Sequence, residues 1–340
     1  MRYYSIVITD PATGGLITTP SSLPGSNATY SSFANGQTAP GALNVELDVP
    51  IGAFAQPSDA AYVSIWGVSL AEISQSTQLG ATPKAPGKSI AIYAGMQKGL
   101  PLANPAQAGL IAQGTILQAF GNWIGTDQSL DIIFYAPFGS PAAPVNLTQN
   151  WLAGTPLAQA IANTLKVAFP GYQQDIQISP NLVLAHDEPA FYGSITEYAQ
   201  YVKQVSRDVK VMPNYPGVDI AITPDNVFRV YDGTTQSAPK TIAFQDLIGQ
   251  PTWINDENNS PVIQFKTVMR ADLSLNDYVK MPPAVVTTTS AAASSLVNLR
   301  AAFQGPFQIS SIHHYGNFRQ APADAWVTVF EAFPTSLKST

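Results

Sequence analysis

The stretch Phe244–Met281 reads FQDLIGQPTWINDENNSPVIQFKTVMRADLSLNDYVKM and predicts a β-hairpin followed by a further strand. The polar run Asn255–Pro261 favours a chain reversal, with Gly249–Trp253 as the approach to it. Apolar and polar side chains then alternate, with one side formed by Ile263, Phe265 and Met269 and the other by Gln264, Lys266 and Arg270. This period of two is typical of a strand with one buried face. The chain becomes extended again at Tyr278–Lys280.

Alternation of the same kind continues outward on both sides of this stretch. Around it, the pattern predicts strands at Val227–Tyr231, Thr241–Phe244, Phe307–His314 and Trp326–Phe333. In the first part of the chain, it predicts strands at Ser5–Thr9, Leu43–Val49, Tyr62–Val68, Ser89–Ala94, Leu110–Phe120 and Leu130–Tyr135. Turn residues recur between these strands at spacings typical of an all-β sandwich or barrel.

The middle of the chain changes to a helical period. Thr155 is a candidate cap and Pro156 a first helical residue, and apolar residues then recur until Pro170 at Leu157, Ile161, Leu165 and Ala168. Ser194 and Glu197 have the spacing of a capping box, which predicts a second helix with one face formed by Ile195, Tyr198, Ala199, Val202 and Val205. With a strand at Asp175–Ile178, these helices predict a small α/β insert.

Two β regions of similar size and rhythm therefore flank one insert. We predict a mainly β fold with an α+β insert, divided into residues 1–141, 142–211 and 212–340. Gly14–Gly41, rich in Gly, Pro, Ser, Thr and Asn, predicts an extended loop or an arm. Ser74–Gly87 predicts a loop, and Pro282–Ser295 predicts a loop or arm that is ordered against a neighbouring subunit.

Charged residues make up only 11% of the 340-residue chain, and the formal net charge is −6. Soluble proteins usually carry about 25% charged residues, so we expect other protein to cover much of this surface. An acidic balance without a run of Lys or Arg argues against a groove that grips nucleic acid. The chain has no cysteine, which excludes a disulfide framework and a thiolate metal site. No window approaches the roughly 20 apolar residues of a membrane span, so no membrane role is expected.

Residue types common in catalytic sites concentrate at His186–Glu188 and at His313–His314. Adjacent residues on an extended chain point to alternate sides, so we interpret the first group as a solvated loop and the second as structural histidines at a strand end. Gly193–Ser194 lacks the Gly-x-Ser-x-Gly pattern. The spacing of a calcium loop is missing around Asp127, Asp131, Asp219 and Asp225. We expect no catalytic residue, no cofactor and no metal site.

Part of the opening stretch resembles the baseplate hub proteins of contractile-tailed bacteriophages, which are related to the hub part of type VI secretion spike proteins. The residues that carry the resemblance are Gly249, Pro251, Trp253, Met269, Arg270, Leu273, Leu275, Asn276, Asp277 and Val279. Phe303–Gly316 and Ala325–Phe330 are similar to the last hairpin of that family, in which a His-Gly turn precedes a Trp-x-Thr strand. The resemblance covers Phe244–Phe333.

This resemblance implies a structural virion protein and no enzyme. Residues 1–141 and 212–340 would each form a tail-tube-like β-barrel. Three chains would form a pseudo-sixfold ring that adapts the hexameric tail tube to the trimeric spike, with DNA passing through the lumen without specific binding. The implied partners are the tube and spike proteins, the tape-measure protein and other baseplate proteins. The implied location is the tail tip of the virion, assembled in the host cytoplasm.

Two other function classes stay open from the residues alone. A secreted or surface β-sandwich that binds glycans is suggested by the Thr, Ser and Asn content and by the tryptophans Trp66, Trp123, Trp151, Trp253 and Trp326. These tryptophans are scattered through different predicted elements, which favours packing over a sugar platform. The short apolar start Met1–Thr9 does not match a signal peptide. A hydrolase would require His186, Asp187 and Glu188 to meet distant residues.

Overall fold

A computed structural model of the protein describes residues 1–55, 60–83, 85–97, 104–135, 145–209, 215–255, 261–282 and 305–335. The predicted hairpin turn at 256–260 lies outside these residues, as does the predicted arm from 283 onward. The domain boundaries predicted at 141/142 and 211/212 also fall outside them, so these boundaries stay predictions.

Most of the regular secondary structure in the described residues is β-strand. The strands of the first part are β1 Arg2–Thr9, β2 Tyr30–Ser31, β3 Phe33–Ala34, β4 Gln37–Thr38, β5 Asn44–Ile51, β6 Ala61–Trp66, β7 Ser89–Met96, β8 Gly109–Ile124 and β9 Asp127–Tyr135. Those of the middle are β10 Leu147–Trp151, β11 Gln173–Gln177, β12 Glu188–Tyr192, β13 Asp219–Ile222 and β14 Val227–Tyr231. The last are β15 Lys240–Thr241, β16 Thr252–Asn255, β17 Pro261–Val268, β18 Tyr278–Lys280, β19 Pro306–Asn317 and β20 Trp326–Pro334. The helices are α1 Leu70–Gln75, α2 Leu157–Ala168 and α3 Ile195–Asp208.

Thirteen strands form one sheet that runs through both β regions. Its order is β16-β17-β20-β19-β5-β6-β9-β8-β7-β1-β2, and β18 pairs with β19 while β15 pairs with β18. All neighbours are antiparallel except β15 and β18. Within the described residues, backbone pairing leaves this path open from β16 to β2 and closes no barrel. The mainly β fold is confirmed.

Strand β19 is the connection between the two parts of the sheet. Its first residues, Pro306–Gln308, pair with β18, and its last residues, Ile312–Asn317, pair with β5. A register shift between Ile309 and Ser311 separates the two pairings. We call the part from β2 to β19 the first half of the sheet and the part from β19 to β16, with β15 and β18, the second half, so that β19 belongs to both.

One face of this sheet covers two hydrophobic cores. The first core lies under the first half and includes Val45, Leu47 and Val49 of β5 and Leu130, Ile132 and Phe134 of β9. The second lies under the second half and includes Ile263 and Phe265 of β17, as the alternation of the opening stretch predicts. The predicted face of β5 is also confirmed, because its apolar residues are buried.

The ends of the first half approach each other without pairing as strands. Arg2 on β1 donates from its guanidinium to the carbonyl oxygen of Asn317, the last residue of β19, and to those of Phe318, Gln320 and Pro322 in the β19–β20 loop. Tyr4 packs edge-on against Phe318, with ring centroids 4.9 Å apart. Trp326 of β20 extends into the first core and donates from Nε1 to the carbonyl oxygen of Gly95 at 3.1 Å.

The ends of the second half are joined by the chain itself. After β15, a 3₁₀ turn at Phe244–Asp246 leads to Leu247, which forms a bridge with Thr267 of β17. Ile248 N–H then donates to the carbonyl oxygen of Lys266 at 2.9 Å. The chain continues to β16, which pairs with the other end of β17. The residues between Thr241 and Thr252 therefore connect β15, at one edge of the second half, to β16, at its other edge.

The middle of the chain forms a separate α/β layer. Strand β11 runs parallel to β14, β13 is antiparallel to β14, and β10 pairs with β12. The helices α2 and α3 pack their apolar faces with these strands in a third core, which includes Leu157, Ile161, Tyr198 and Val202. The two predicted helices and the predicted strand near Asp175 are confirmed. Phe54 joins this core, and its N–H donates to Ile220 of β13.

Several local predictions are wrong. The predicted Ser74–Gly87 loop begins within α1, whose capping box uses Ser69 and Glu72. Thr155 does not cap α2; its hydroxyl donates to Leu152 O, and Pro156 is the N-cap. The predicted strand Thr241–Phe244 is only β15, because the backbone turns into the 3₁₀ helix.

Other predictions need refinement in detail. At α3, Ser194 Oγ accepts from Glu197 N–H, but the Glu197 carboxylate accepts from Gly193 N–H and not from the N-cap residue. Gly14–Gly41 is a loop that carries the short strands β2, β3 and β4. Arg270 is not on a wet face, because only 4% of it is exposed.

Candidate interaction surface on the polar face of the sheet

The face of the first half that points away from the core carries mostly polar side chains. Residues paired across neighbouring strands point to the same face, so the registers define this surface. We call it the polar face, and it consists of Asn44, Glu46, Asp48, Tyr62, Ser64, Trp66, Gln118, Phe120, Asn122, Ser129, Asp131, Ile133, His313, Tyr315 and Asn317. These residues come from five adjacent strands, β8, β9, β6, β5 and β19.

Asp131 lies at the centre of this surface and accepts hydrogen bonds from four side chains. Tyr62 OH and Ser64 Oγ donate to Oδ1 at 2.7 and 2.5 Å. Asn122 Nδ2 and, at 3.5 Å, Ser129 Oγ donate to Oδ2. Burial, and then the hydrogen bond to Asp131, raise the pKa of Tyr62 to about 12, so its hydroxyl stays protonated and remains a donor.

Two further carboxylates lie on β5, where β19 supplies their partners. Asn317 Nδ2 donates to Glu46 Oε1 at 2.7 Å. His313 Nε2 and Asp48 Oδ1 are 2.5 Å apart, and about half of the Asp48 side chain is exposed. These contacts cross the connection between the two parts of the sheet, because β19 is the strand that both halves share.

None of the positions of the polar face is a lysine or an arginine. Elsewhere in the described residues, five acids are paired with such cations: Lys88 with Asp10, Lys203 with Asp219, Arg229 and Lys240 with Asp277, and Arg270 with Asp246 and Asp272. Others, such as the buried Glu72 and Asp232, accept only from neutral groups. On the polar face, neutral donors and one histidine satisfy the acids. The surface therefore keeps negative charge without a fixed cation of its own.

Exposed aromatic rings lie among these acids. Trp66 is 36% exposed, Phe120 40% and Tyr315 48%. Phe120 is the cross-strand partner of Asp131, and Tyr315 is the cross-strand partner of Asp48. Tyr315 therefore stands beside a half-exposed carboxylate, an arrangement that suits a planar cation. Asp131 beside Phe120 is buried, with only 5% of the residue exposed.

The same face continues onto the second half with a different charge pattern. Lys266 of β17 pairs with Val329 of β20, and Gln264 pairs with Glu331. Gln264 Nε2 donates to Glu331 Oε1 at 3.4 Å. A cation is thus present on this half, in contrast to the polar face of the first half.

Beneath the sheet, buried ion pairs link the layers. Arg270 NH1 and Gln107 Nε2 both donate to Asp246 Oδ2, at 3.2 and 3.0 Å, and the Arg270 fork also binds Asp272. Arg229 of the middle layer and Lys240 bind Asp277. Burial opposes the charge of Asp277, but hydrogen bonds from Lys240, the Ser274 N–H and Arg229 outweigh it and hold its pKa below the usual range.

The structure does not gather the predicted His186–Glu188 group into a convergent site. His186 Nε2 and Glu188 Oε2 are 3.4 Å apart at a largely exposed position. Asp187 Oδ1 instead accepts from the Ala153 N–H at 2.7 Å. Ser194 is the N-cap of α3. Among the described residues, no group of three or more His, Cys, Asp or Glu is placed to hold a metal ion.

His313 and His314 lie within β19 and not at its end, so they point to opposite faces. His313 belongs to the polar face, while His314 is buried with its Nδ1 2.9 Å from Thr328 Oγ1. Burial, and then the neighbouring His313, lower the pKa of His314 to about 3, which leaves it neutral. It borders a cavity of about 20 Å³, also lined by Ser274 and Thr223, with room for about one water.

The tryptophans do not form one platform. Trp151 and Trp326 are buried. Trp66 pairs with Ser129, whereas Trp123 pairs with the preceding residue, Gln128, and so points to the opposite face.

Two of the three acids of the polar face can be assigned to one side of a strand from sequence, because Glu46 and Asp48 alternate with apolar residues in β5. Asp131 is missed because only its four donors, which come from three strands, distinguish it from other acids.

Comparison with solved structures identifies this architecture. The 43 kDa tail protein of prophage MuSo2 from Shewanella oneidensis matches over 99% of this chain and 98% of its own, with a TM-score of 0.52 and 6% sequence identity. The chain therefore has a phage tail-protein fold. This result confirms, at the level of the fold, the resemblance seen in Phe244–Phe333.

Two further solved structures also match. A tail protein of Neisseria meningitidis MC58 matches over 98% of this chain and 96% of its own, with a TM-score of 0.49 and 9% identity. A type VI secretion component of E. coli, described as similar to T4 tail proteins, matches over 86% of this chain and 73% of its own, with a TM-score of 0.47 and 10% identity. No protein-family model and no curated protein matches the sequence. No helix among the described residues has the length and apolarity to cross a bilayer.

Proposed function

We propose that this chain is a structural protein of a phage tail, the hub of a baseplate. Three copies form a pseudo-sixfold ring that carries the hexameric tail tube on one side and the trimeric spike on the other. Its partners are the tube and spike proteins, together with the tape-measure protein and other baseplate proteins. The ring belongs to the tail tip of the virion and is assembled in the host cytoplasm.

The observation that carries this proposal is one sheet built from two halves, in each of which the two ends are linked by contacts or by the chain. Side chains such as Arg2 and Trp326 bring the ends of the first half together. The chain between β15 and β16 joins the ends of the second half. We interpret the halves as two tube-like barrels, within the predicted ranges 1–141 and 212–340. The α/β layer is the predicted insert 142–211 together with β13 and β14, which pair with its strand β11. Two such units per chain give six in a trimer, which matches a hexameric tube.

The polar face supports a position at the lumen of the ring. Three acids, Glu46, Asp48 and Asp131, lie on it without a lysine or arginine. Nucleic-acid grooves use such cations to release counterions, so this surface lets DNA pass and does not hold it. The neutral donors around the acids keep the negative charge in place.

The ring would be closed by head-to-tail contacts, which form a closed assembly only when the rotation between neighbours is right. Native mass spectrometry of the purified protein, alone and with its tube and spike proteins, tests this directly. The expected result is a species of three chains, and electron microscopy of that species should show six similar lobes around a channel. A monomer that persists at all concentrations and with both partners would contradict the proposal.

A further inference from the structure

We propose that the polar face is a docking surface for an extended, arginine-bearing segment of another protein. The inference rests on the proposed function only for where the face lies in the assembly, since the surface itself belongs to a single chain. Its basis is that one continuous sheet face combines acids that have no lysine or arginine partner with exposed aromatic rings.

Charge complementarity selects the partner. Glu46, Asp48 and Asp131 have neutral hydrogen-bond donors and His313 around them, whereas the acids in ion pairs elsewhere contact lysine or arginine. A partner cation would therefore meet negative charge that no lysine or arginine of this face neutralises. A second copy of the same face carries the same charge and would be repelled, and so would nucleic acid.

The aromatic residues favour arginine over lysine. Phe120 stands beside Asp131, and Tyr315 stands beside Asp48, with Trp66 at the margin. A guanidinium can stack on such a ring while its fork donates to the adjacent carboxylate, which a compact ammonium cannot do in the same way. Asp48, half exposed beside Tyr315, offers its carboxylate for such a contact, whereas Asp131 is buried and already accepts four hydrogen bonds, so that it adds negative charge beneath the ring of Phe120.

The dimensions favour an extended polypeptide. The face spans five strands, from β8 to β19, which corresponds to about 19 Å at the usual strand separation. An extended segment of about six or seven residues covers that distance. The chain's own arginines are at least 19 positions apart, from Arg300 to Arg319 at the nearest. A segment with several arginines must therefore come from another protein.

Fluorescence anisotropy with the full-length protein tests this proposal. The probe is a labelled peptide of seven residues in which three arginines alternate with threonine, and matched peptides carry lysine or glutamate instead. We expect saturable binding of the arginine peptide at about 50 mM NaCl that weakens strongly at about 300 mM, because exposed charges are screened. The lysine peptide should bind about threefold more weakly, and the glutamate peptide should not bind.

Variants locate the binding on the face. The double variant Glu46→Gln/Asp48→Asn should weaken binding about fivefold, since two exposed charges are lost. Trp66→Leu and Phe120→Leu keep apolar bulk and should each weaken binding about threefold. Asp225→Asn is the matched control: it neutralises an exposed acid of the middle layer and should leave binding unchanged.

The outcomes separate this inference from the proposed ring. A trimer in native mass spectrometry without binding of the arginine peptide overturns the inference and leaves the ring in place. Peptide binding with the expected variant pattern on a protein that stays monomeric supports the inference and contradicts the ring. Three results would overturn the inference. They are a loss of peptide binding in Asp225→Asn equal to that in the polar-face variants, full displacement of the arginine peptide by spermidine at the same concentration of positive charge, and binding of a short oligonucleotide to the protein.

Discussion

In the first half of the sheet, side chains bridge the gap between the ends, whereas in the second half a continuous chain leads from β15 to β16. Arg2, Tyr4 and Trp326 supply the bridge in the first half. The second half instead uses the backbone between Thr241 and Thr252. Closure of the first half thus depends on a few side chains that single substitutions can remove, while closure of the second half follows from connectivity.

The halves also differ in charge on their outer face. The polar face of the first half has three acids and no lysine or arginine, while Lys266 accompanies Glu331 on the second half. Strand β19 takes part in both halves, since its first residues pair with β18 and its last residues, including His313, His314 and Asn317, pair with β5.

Trp326→Ala should give the largest loss of stability. The side chain is buried in the first core, lies against Gly316 and donates to Gly95. We expect a decrease of about 4 kcal/mol in the free energy of unfolding, as for large buried aromatics. Trp253→Ala on the partly exposed strand β16 is the control and should cost about 1 kcal/mol. Urea titration of both variants measures the difference, and equal losses would contradict the unequal closure of the halves.

Arg270→Met should reduce stability by about 3 kcal/mol, because it leaves the buried carboxylate of Asp246 without its cation. Gln107 alone would remain as a donor to that carboxylate. The double variant Asp246→Asn/Arg270→Met removes the buried unpaired charge and leaves only Asp272, which is partly exposed, without its cation, so it should be more stable than Arg270→Met. Thermal unfolding of both variants tests the order. A double variant less stable than the single one would show that the pair does not act through burial of charge.

His314 predicts a specific pH dependence. Its folded pKa is about 3, against 6.5 for the free side chain, so between these values the unfolded chain binds more protons. Stability from this residue is complete above pH 6.5 and falls as the pH drops toward 3. The expected loss at pH 5 is about 2 kcal/mol.

Denaturant midpoints measured from pH 8 to pH 5 test this dependence. His314→Gln should flatten the decline, while the control His313→Gln on the polar face should keep most of it. The comparison uses slopes, since His314→Gln can also change stability at every pH. A slope that His314→Gln leaves intact would assign the decline to other groups.

Sequence reasoning succeeds here where one element decides its own structure. Alternation sets the buried faces of β5 and β17, and β14 occupies the predicted Val227–Tyr231. It fails where partners come from distant parts of the chain. Nothing within β5 indicates that it pairs with Ile312–Asn317. Arg270 fits a wet face by alternation, and only Asp246 and Gln107, from two other segments, explain its burial.

The same limit applies to the candidate surface. The alternation of apolar and polar residues assigns Glu46 and Asp48 to one side of β5. That no lysine or arginine lies next to them depends on the neighbouring strands β6 and β19, which the sequence of β5 does not reveal. Asp131 acquires its role only because Tyr62, Ser64 and Asn122 converge on it. Faces can thus be predicted from sequence, whereas the composition of a surface built from five strands requires the strand order.

Arg2 gives the smallest and most specific test of side-chain closure. Its guanidinium donates to carbonyl oxygens at the end of β19 and in the β19–β20 loop, including Asn317 at 2.8 Å and Pro322 at 2.7 Å. Arg2→Ala should cost about 1 kcal/mol, because the site is partly exposed and water replaces some of the bonds. Arg2→Lys keeps the charge but has a single donor group, so it should recover less than half of the loss.

Hydrogen exchange shows where the Arg2 effect acts. In Arg2→Ala, amides near Asn317 and Phe318 should exchange faster, while those of β16 and β17 should not change. Faster exchange that spreads evenly over both halves would mean that Arg2 acts on global stability. Complete rescue by Arg2→Lys would mean that charge alone holds the loop. If the change is confined to the loop, closure of the first half is a local property of its side chains, separable from the closure that the chain imposes on the second half.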